Sequence, residues 1–297
     1  MPHPYAAAAY VQTLADAEGA DVVDMEAWGS RLLMRPLADS LADAAGPYPR
    51  TPIAAGADLA AGLDVLRTRG LVSVVLVPDP FASPEPETLA RGFEVCRPFK
   101  THFAVDRRRG DPWPSKSHLY KIRRAQRRCE VERISLTAAL EDWLRLYGEL
   151  SARHAIAGPA RFSADHFRAL AADPAFVAFA AKVDGRIAAM GLWFARDGVA
   201  VYHLGASDAD GYAAGASYAI FAAAFEHFGD AGCIDLGGAA GLVDDPNDGL
   251  ARFKQGFANT RATAWLCGSV LDQAAYARLT AGRAPTAYFP AYRAGGV

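Results

Sequence analysis

The sequence has few cysteines and lacks the patterns of several large protein classes. Its 4 cysteines in 297 residues lie far apart and match no zinc or redox spacing, so we expect reduced, mostly buried thiols. The 7 histidines form no HExxH pair, and we expect no metal site. No apolar run approaches the roughly 18–20 residues of a membrane helix. The start lacks a signal-peptide pattern, so we expect a cytoplasmic protein without membrane insertion.

An excess of charge of one sign is also missing, because 31 Lys and Arg nearly balance 33 Asp and Glu. This balance argues against a protein coated throughout by nucleic acid or membrane, although it leaves room for local patches. The sequence contains no GxGxxG, P-loop or GxSxG motif, no recognisable Cys–His spacing and no glycosidase-like carboxylate pair. Covalent catalysis is therefore disfavoured, and direct transfer between two bound substrates fits better.

The apolar residues make up 52% of the chain, and their pattern predicts an α/β architecture. Asp-Gly pairs at 184–185 and 197–198 separate three apolar runs, which predicts an antiparallel three-strand meander over roughly 175–205. An aromatic stripe at helical spacing then predicts a helix over about 214–228. A buried strand (CIDL), a short helix near 249–256 and another strand (RATAWLCGSVL) follow.

The N-terminal half is less clearly patterned. Its apolar periodicity predicts alternating helices and strands at 57–69, 71–77, 86–95, 101–105 and 138–154. We place the domain boundary near residue 150, which gives an N-terminal domain at 1–150 and a C-terminal domain at 151–297. The helix between the third meander strand and CIDL predicts a crossover that makes these strands parallel neighbours. The sheet should therefore be mixed, and a ligand should bind where its strands diverge.

The first candidate site is a predicted loop from Gly205 to Ser217, which joins the third meander strand to the aromatic helix and contains Gly205, Gly211 and Gly215. Backbone N–H groups at the start of a helix bind phosphate or a developing oxyanion. The alternative is an ordinary flexible connection. The candidate substrate-binding residues in and beside this segment are Gly205, Ser207 and Tyr218.

The second candidate site is a basic segment, HLYKIRRAQRR, from His118 to Arg128. Between residues 107 and 128 the sequence has nine Lys and Arg against a single acid, Asp111. Arginines four residues apart on a helix would repel each other, and a polyanionic partner such as RNA or a nucleotide diphosphate would relieve that repulsion. The alternative is a solvated helix face. The candidate phosphate- or RNA-binding residues are Lys121, Arg123, Arg124, Arg127 and Arg128.

The third candidate site lies in DLGGAAGLVDDPNDGLARFKQGF, from Asp235 to Phe257. Lys254 stands next to Phe253 and one turn before Phe257, so its alkyl stem should lie against apolar surface. A partly desolvated ammonium can stabilise a carbonyl oxygen that gains negative charge, or can carry a proton if its pKa falls. The alternative is a surface lysine that pairs with one of three nearby acids, Asp244, Asp245 and Asp248.

Two further positions complete this region. Asp235 ends a strand beside Gly237 and Gly238, where α/β sheets often carry functional groups, or it only caps the following loop. Tyr202 and His203 end the third meander strand and should face opposite sides, so only one can reach the site. Our catalytic candidates are Lys254, Asp235 and His203. Our further substrate-binding candidates are Tyr202, Gly237, Gly238, Arg252, Phe253 and Phe257.

Four stretches together resemble the FemAB-like branch of the GNAT superfamily: KIRRAQRR, HLGAS with GASY, DLGG with GLARFKQGF, and the closing YFPAYR. The resemblance covers about 118–293, and FKxGF after DLGG is its most specific element. It implies two GNAT-like α/β units, each a mixed, mostly antiparallel sheet flanked by helices, with a cleft between them. It also implies transfer of an acyl or aminoacyl group onto an amine.

The resemblance maps the family's lysine in FKxGF onto Lys254, and its basic segment onto Lys121 to Arg128. Fem enzymes take the group from aminoacyl-tRNA, whereas ordinary GNAT relatives take it from acyl-CoA. The coenzyme A loop would be YAAGAS, from Tyr212 to Ser217, which lacks the usual leading Gln or Arg and ends in serine. No heptad-patterned stretch matches the coiled-coil arm of typical cell-wall Fem enzymes.

From this resemblance we expect an enzyme that moves an aminoacyl group from charged tRNA to a small-molecule or peptide amine. Aminoacyl-tRNA is then a co-substrate, no cofactor is tightly bound, and the protein is a monomer or weak dimer. The first alternative is an acyl-CoA-dependent N-acetyltransferase. The second is a non-catalytic module that binds RNA or a nucleotide.

Overall fold

The computed structural model describes residues 3–110, 113–239, 241 and 248–295. Its strands are β1 (Asp21–Met25), β2 (Ser30–Pro36), β3 (Ala42–Ala45), β4 (Ser73–Leu76), β5 (Val95–Asp106), β6 (Glu130–Ile134), β7 (Phe176–Val183), β8 (Arg186–Arg196), β9 (Val199–Ser207), β10 (Cys233–Asp235) and β11 (Thr260–Val270). Its α-helices are α1 (Ala8–Glu18), α2 (Leu59–Thr68), α3 (Pro86–Gly92), α4 (Lys116–Ala125), α5 (Leu140–His154), α6 (Ala164–Ala172), α7 (Ala209–Ala214), α8 (Ala216–His227), α9 (Gly249–Phe257) and α10 (Gln273–Thr280).

The chain divides into two compact units, each built from separate segments of sequence. The first unit comprises Met1–Phe99, Gly158–Ser163 and Thr263–Val297, and the second comprises Lys100–Ala157 and Ala164–Ala262. This division differs from a single cut near residue 150, because the chain passes from one unit to the other within β5 and again within β11. A change of unit inside a strand has no linker composition that a sequence could reveal.

The first unit contains the strands β1, β2, β3, β4 and β11, in that order across its sheet. β3 and β4 are parallel, whereas the other neighbouring pairs are antiparallel. Trp28 is fully buried beside α2, where a β-carbon at Gly62 would collide with the indole ring. The close approach of helix and ring therefore requires glycine at position 62.

The closing YFPAYR motif anchors the end of the chain on the sheet of the first unit. Asp43 on β3 is 0% exposed and accepts hydrogen bonds from Arg293 at 2.8 and 3.0 Å and from the Tyr292 hydroxyl at 3.0 Å. Arg35 on β2 donates to the same carboxylate at 3.1 and 3.2 Å. Two guanidinium groups thus hold a carboxylate that burial alone would destabilise.

The second unit contains the strands β5, β10, β9, β8, β7 and β6, in that order across its sheet. β9 and β10 are parallel and joined through α7 and α8, which confirms the predicted crossover. The other neighbours are antiparallel, and the predicted meander is β7, β8 and β9. Its two turns have positive φ at both residues of each Asp-Gly pair, the conformation for which these residues are selected.

Helices cover both faces of the sheet in the second unit. On one face α4, α8 and α9 share a core that includes Trp193, Phe221 and Phe257. On the other face α5 packs on β8 and β9, and its Trp143 is fully buried. The helix predicted at 138–154 is α5, whereas the helix predicted at 214–228 is α8, which the separate helix α7 precedes.

The predicted fold class is confirmed, because both units are α/β and each combines one parallel pair of strands with antiparallel pairs. The four cysteines are free thiols, and Cys267 Sγ lies 3.7 Å from Cys96 Sγ. In the part of the chain that the structure describes, no helix has both the length and the apolar composition that crossing a membrane requires.

Candidate functional site

Lys254 lies on the inner face of α9 and is only 5% exposed. The helix begins at Asp248, whose carboxylate accepts from Ala251 N at 2.7 Å, and this register turns Lys254 and Phe257 toward the core. The Lys254 ammonium donates to Gly238 O at 2.7 Å and lies 5.5 Å from the centre of the Tyr202 ring. Lys254 is therefore a buried residue rather than a surface lysine.

The three acids considered as partners of a surface lysine are Asp244, Asp245 and Asp248. Asp248 is the N-cap of α9. Asp244 and Asp245 lie outside the described residues.

Arg252 is exposed on the outer face of α9, so the structure does not bring this substrate-binding candidate to Lys254.

Aromatic rings pack around the C-terminal half of α9, which carries Lys254. The Phe253 ring centre lies 4.9 Å from that of Tyr218, 4.8 Å from that of Phe221 and 5.1 Å from that of Phe257. Tyr202 joins the cluster with its ring centre 4.8 Å from that of Phe221. Burial raises the pKa of Tyr202, so its hydroxyl stays protonated at neutral pH. Four of the substrate-binding candidates, Tyr202, Tyr218, Phe253 and Phe257, thus lie together.

The end of β10 connects Asp235 to the lysine through two glycines. Asp235 is 0% exposed and accepts from Gly237 N at 2.8 Å. Gly237 has φ +76°, and the carbonyl of the next residue, Gly238, receives the Lys254 ammonium. A carboxylate at the strand end thus fixes the backbone that holds the lysine.

His102 on β5 is a residue that sequence reasoning did not select. Its Nδ1 atom lies 3.1 and 3.2 Å from the two carboxylate oxygens of Asp235, and its side chain is buried. The two partners are 133 residues apart in sequence, and no local motif marks their pairing.

The structure does not bring His203 to Lys254. The pairing of β8 with β9 shifts between Leu192 and Trp193, so His203 is the extra residue of a β-bulge after Tyr202. Its ring centre lies 5.5 Å from that of Phe176, which in turn contacts Phe194. Phe194 follows Trp193 on β8, so it faces away from the cluster that contains Trp193 and Tyr202. Of the two neighbours, only Tyr202 lies on the face of Lys254.

The prediction of a glycine-rich loop from Gly205 to Ser217 is wrong. β9 continues through Ser207, and α7 begins directly after Asp208, whose carboxylate accepts from Gly211 N at 3.0 Å. A β-carbon at Gly211 would collide with the Ala188 carbonyl oxygen, and one at Gly205 would collide with the Tyr202 hydroxyl. These glycines therefore permit close packing, and a carboxylate already occupies the start of α7.

Asp208 is itself part of a charged cluster. Its carboxylate accepts from Arg186 at 2.7 Å and from Arg145 at 3.2 Å. Burial alone raises its pKa, but the bonds from Gly211 N, Arg186 and Arg145 outweigh burial and lower it. The carboxylate is therefore ionised at neutral pH, and it already caps the start of α7. Ser207 is buried nearby, with its Oγ atom 3.5 Å from Ser217 Oγ.

The basic segment is a helix followed by a turn. α4 ends at Ala125, so Arg127 and Arg128 lie in the turn, and the predicted helical repulsion across 123/127 and 124/128 is wrong. Lys121 Nζ contacts the Tyr218 hydroxyl at 3.2 Å, and Arg128 donates to Ala213 O at 3.2 Å. The other three candidate phosphate-binding arginines are exposed and have no carboxylate partner among the residues that the structure describes. They are Arg123, Arg124 and Arg127. Asp111 lies outside the described residues.

His118 joins the basic helix to the lysine helix, and sequence reasoning did not identify this role. It is buried, with Nε2 2.9 Å from Phe253 O and Nδ1 3.2 Å from Ser115 Oγ. A β-carbon at Gly256 would collide with its ring. Burial lowers the pKa of His118, so the ring is neutral at pH 7 and Nε2–H donates to the Phe253 carbonyl. α4 is thus held against α9 at the residue before Lys254.

Potential metal ligands do not cluster in the described ranges, where no group of three or more His, Cys, Asp or Glu could hold a metal ion. The site brings together a buried lysine, a protonated phenol and a buried histidine–carboxylate pair.

A family model described as acetyltransferase (GNAT) domain matches residues 116–255. The match begins at α4 and ends one residue after Lys254, and it lies almost entirely in the second unit. A search of curated proteins finds no match to this chain.

Several solved structures are similar in fold. FemX has a TM-score of 0.65 at 14% identity, over 92% of this chain and 94% of that chain. The C-terminal domain of a putative lysylphosphatidylglycerol synthetase from Agrobacterium fabrum has a TM-score of 0.63 at 14% identity, over 91% and 89%. L-PGS from Bacillus licheniformis has a TM-score of 0.57 at 13% identity, over 92% and 93%. At these identities the likeness is one of fold.

Proposed function

We propose that this chain, an acyltransferase with a GNAT domain and the fold of the Fem-like branch, moves an aminoacyl group from aminoacyl-tRNA to an amine acceptor. The acceptor nitrogen attacks the ester carbonyl carbon of the donor directly, without a covalent enzyme intermediate. The likeness in fold to FemX and to the C-terminal domain of a putative lysylphosphatidylglycerol synthetase supports an aminoacyl rather than an acetyl group.

The observation that carries the proposal is the buried ammonium of Lys254. The ammonium donates to the neutral carbonyl of Gly238 at 2.7 Å. The aromatic cluster around Phe253 and Tyr202 excludes water from one side of it. A cation in such surroundings stabilises the oxyanion that forms when the amine attacks, and loss of one such donor costs about 10²–10³-fold in rate.

The exposed face of α4 fits a strand of RNA. Tyr120 is 64% exposed and lies four residues after Lys116 and four before Arg124, so a ring stands between two cations on one row of the helix. Exposed aromatic rings stack on unpaired bases, while neighbouring cations bind phosphates. The same helix is tied through His118 to the helix that carries Lys254. RNA bound on α4 would therefore be held close to the site, and a cytoplasmic location fits this donor.

The RNA part of the proposal is tested by the salt dependence of binding. We expect labelled aminoacyl-tRNA to bind with an affinity that falls as salt rises, and Arg124→Ala to reduce the slope of log K against log salt by about 1. Arg168→Ala on α6 is the matched control, because this exposed arginine already pairs with Asp165. Binding that is absent, or that salt does not weaken, would rule out charged tRNA as the donor.

An acyl-CoA donor is the second candidate, because the matching family model is that of an acetyltransferase domain. The expected YAAGAS loop argues against it, because it lacks the usual leading Gln or Arg and its first residues belong to α7. A screen of charged tRNAs against acyl-CoAs, with mass spectrometry of the products, separates the two donors. If neither donor is consumed, a non-catalytic RNA-binding role is favoured.

A further inference from the structure

His102 and Asp235 form a buried pair of titratable groups beside the site. His102 is 7% exposed, and the two oxygens of Asp235 lie 3.1 and 3.2 Å from its Nδ1 atom. The antiparallel register between β5 and β10 pairs Asp235 with Ala104. His102 lies two residues before Ala104 on β5, just beyond the C-terminal end of β10. Residues two apart on a strand share a face, and both side chains therefore meet on one side of the sheet.

The carboxylate fixes which nitrogen of His102 is basic. Asp235 also accepts from Gly237 N at 2.8 Å, so two donors hold it in place. When Nδ1–H donates to a carboxylate, the lone pair of a neutral imidazole lies on Nε2. His102 is thereby oriented with Nε2 as the proton acceptor, and the carboxylate stabilises the imidazolium that forms when a proton arrives.

Gly238 lies next to both His102 and Lys254. A β-carbon at position 238 would lie 3.2 Å from Thr101 O, 3.3 Å from Lys100 Cδ and 3.8 Å from His102 Cδ2, so Gly238 packs directly beside this part of β5. The carbonyl of the same residue accepts from Lys254 at 2.7 Å. The imidazole and the ammonium are thus both neighbours of Gly238.

We propose that His102 is the catalytic base of the transfer and that Asp235 is its positioning residue, an inference that rests on the proposed function. The amine nitrogen bonds to the ester carbonyl carbon, the carbonyl π electrons move to oxygen beside Lys254, and the amine proton passes to His102 Nε2. When the intermediate collapses, the ester C–O bond breaks and His102 returns that proton to the departing ribose oxygen. One amide bond forms, one ester bond breaks, and Asp235 remains ionised throughout.

In the described part of the chain, charged side chains from three elements contact His102 or the glycine segment beside it. Asp235 lies on β10, and Lys254 reaches Gly238 from α9. Lys100 lies two residues before His102 on β5 and donates to Ala239 O at 2.6 Å. Lys100 and Lys254 thus bind the carbonyls of consecutive residues, and the pH dependence of the reaction reports on His102 among these neighbours.

The test compares His102→Asn with the unmodified enzyme, using the charged tRNA that is consumed in the donor screen. We expect kcat to fall by about 10²-fold or more, with binding of aminoacyl-tRNA unchanged. The limb of the pH–rate profile that rises with deprotonation of the base should disappear. His227→Asn is the matched control, because this exposed histidine lies on the far end of α8, and it should leave both rate and profile unchanged.

Two further variants separate catalysis from a structural role. His102→Gly should regain activity when imidazole is added, which a folding defect would not allow. Asp235→Asn should lower kcat while a residual pH limb remains, because the base is still present but is no longer oriented. If His102→Asn keeps the full rate and profile, or if imidazole restores nothing, the inference is overturned. In either case transfer by the unmodified enzyme from charged tRNA still decides the proposed function separately.

Discussion

In the first unit the buried carboxylate of Asp43 meets two guanidinium groups, whereas in the second unit the buried ammonium of Lys254 meets a neutral carbonyl. Opposite charges at hydrogen-bond distance compensate each other and stabilise the fold. An ammonium bound to a carbonyl dipole keeps a charge that can act on a substrate. These contacts lead us to expect a structural role for Asp43 and a role at the candidate site for Lys254.

The sharpest test of this comparison is Asp43→Ala in the first unit. Removal of the carboxylate leaves Arg35 and Arg293 near each other with little solvent, and such losses cost about 3–5 kcal/mol. We expect a lower free energy of unfolding in urea by that amount, with activity per folded molecule retained. Asp21→Ala, an exposed aspartate on β1, is the control and should change stability by less than about 0.5 kcal/mol. A small loss for Asp43→Ala would mean that the cluster is not structural.

Lys254→Met should show the opposite result in the second unit. Methionine keeps the length and apolar contacts of the side chain, so we expect stability to fall by no more than about 1–2 kcal/mol. The turnover rate should fall by about 10²–10³-fold, because the oxyanion loses its cation. Lys182→Met, whose ammonium is paired with Glu132 on a neighbouring strand, should keep full activity. Equal turnover in both variants would contradict the proposed role of Lys254.

His166 gives the smallest expected effect and concerns pH. Burial lowers the pKa of His166, which lies on α6, to about 3. A histidine in the unfolded chain has a pKa of about 6.5. Below pH 6.5 the unfolded chain therefore binds a proton that the folded chain does not, and stability falls as pH falls toward 3. The cost at pH 5 is about 2 kcal/mol. The variant His166→Gln should lose less stability between pH 7 and pH 5 in urea titrations, and parallel curves would contradict this account.

The fold of the second unit was more predictable than that of the first. The meander, α8 and α9 follow from Asp-Gly turns and apolar periodicity, which act over a few residues. The pattern does not predict β1 to β3. β3 is the segment ADAA, whose alanine and aspartate have low strand propensity, and its Asp43 is buried only because Arg35 and Arg293 pair with it. A partner 250 residues away leaves no local trace.

The candidate site was likewise predictable only where its residues lie close together in the sequence. Lys254 and Asp235 were found from a strand end followed by glycines and from the FKxGF motif, and the structure links them through Gly237 and Gly238. His203 was selected because it lies beside Tyr202 in sequence, but the β-bulge and the sheet put it on the other face. His102 was missed, since its partner lies on a distant strand.

The sequence alone determined the α/β class, the resemblance to the FemAB-like branch of the GNAT superfamily and the position of Lys254, because each depends on residues close together in the chain. Tertiary structure decided the rest. Pairing of β5 with β10 brought His102 to Asp235, and packing of α4 on α9 buried His118 against the lysine helix. Burial and partnership of charged groups depend on contacts between remote segments, and only the folded chain specifies them.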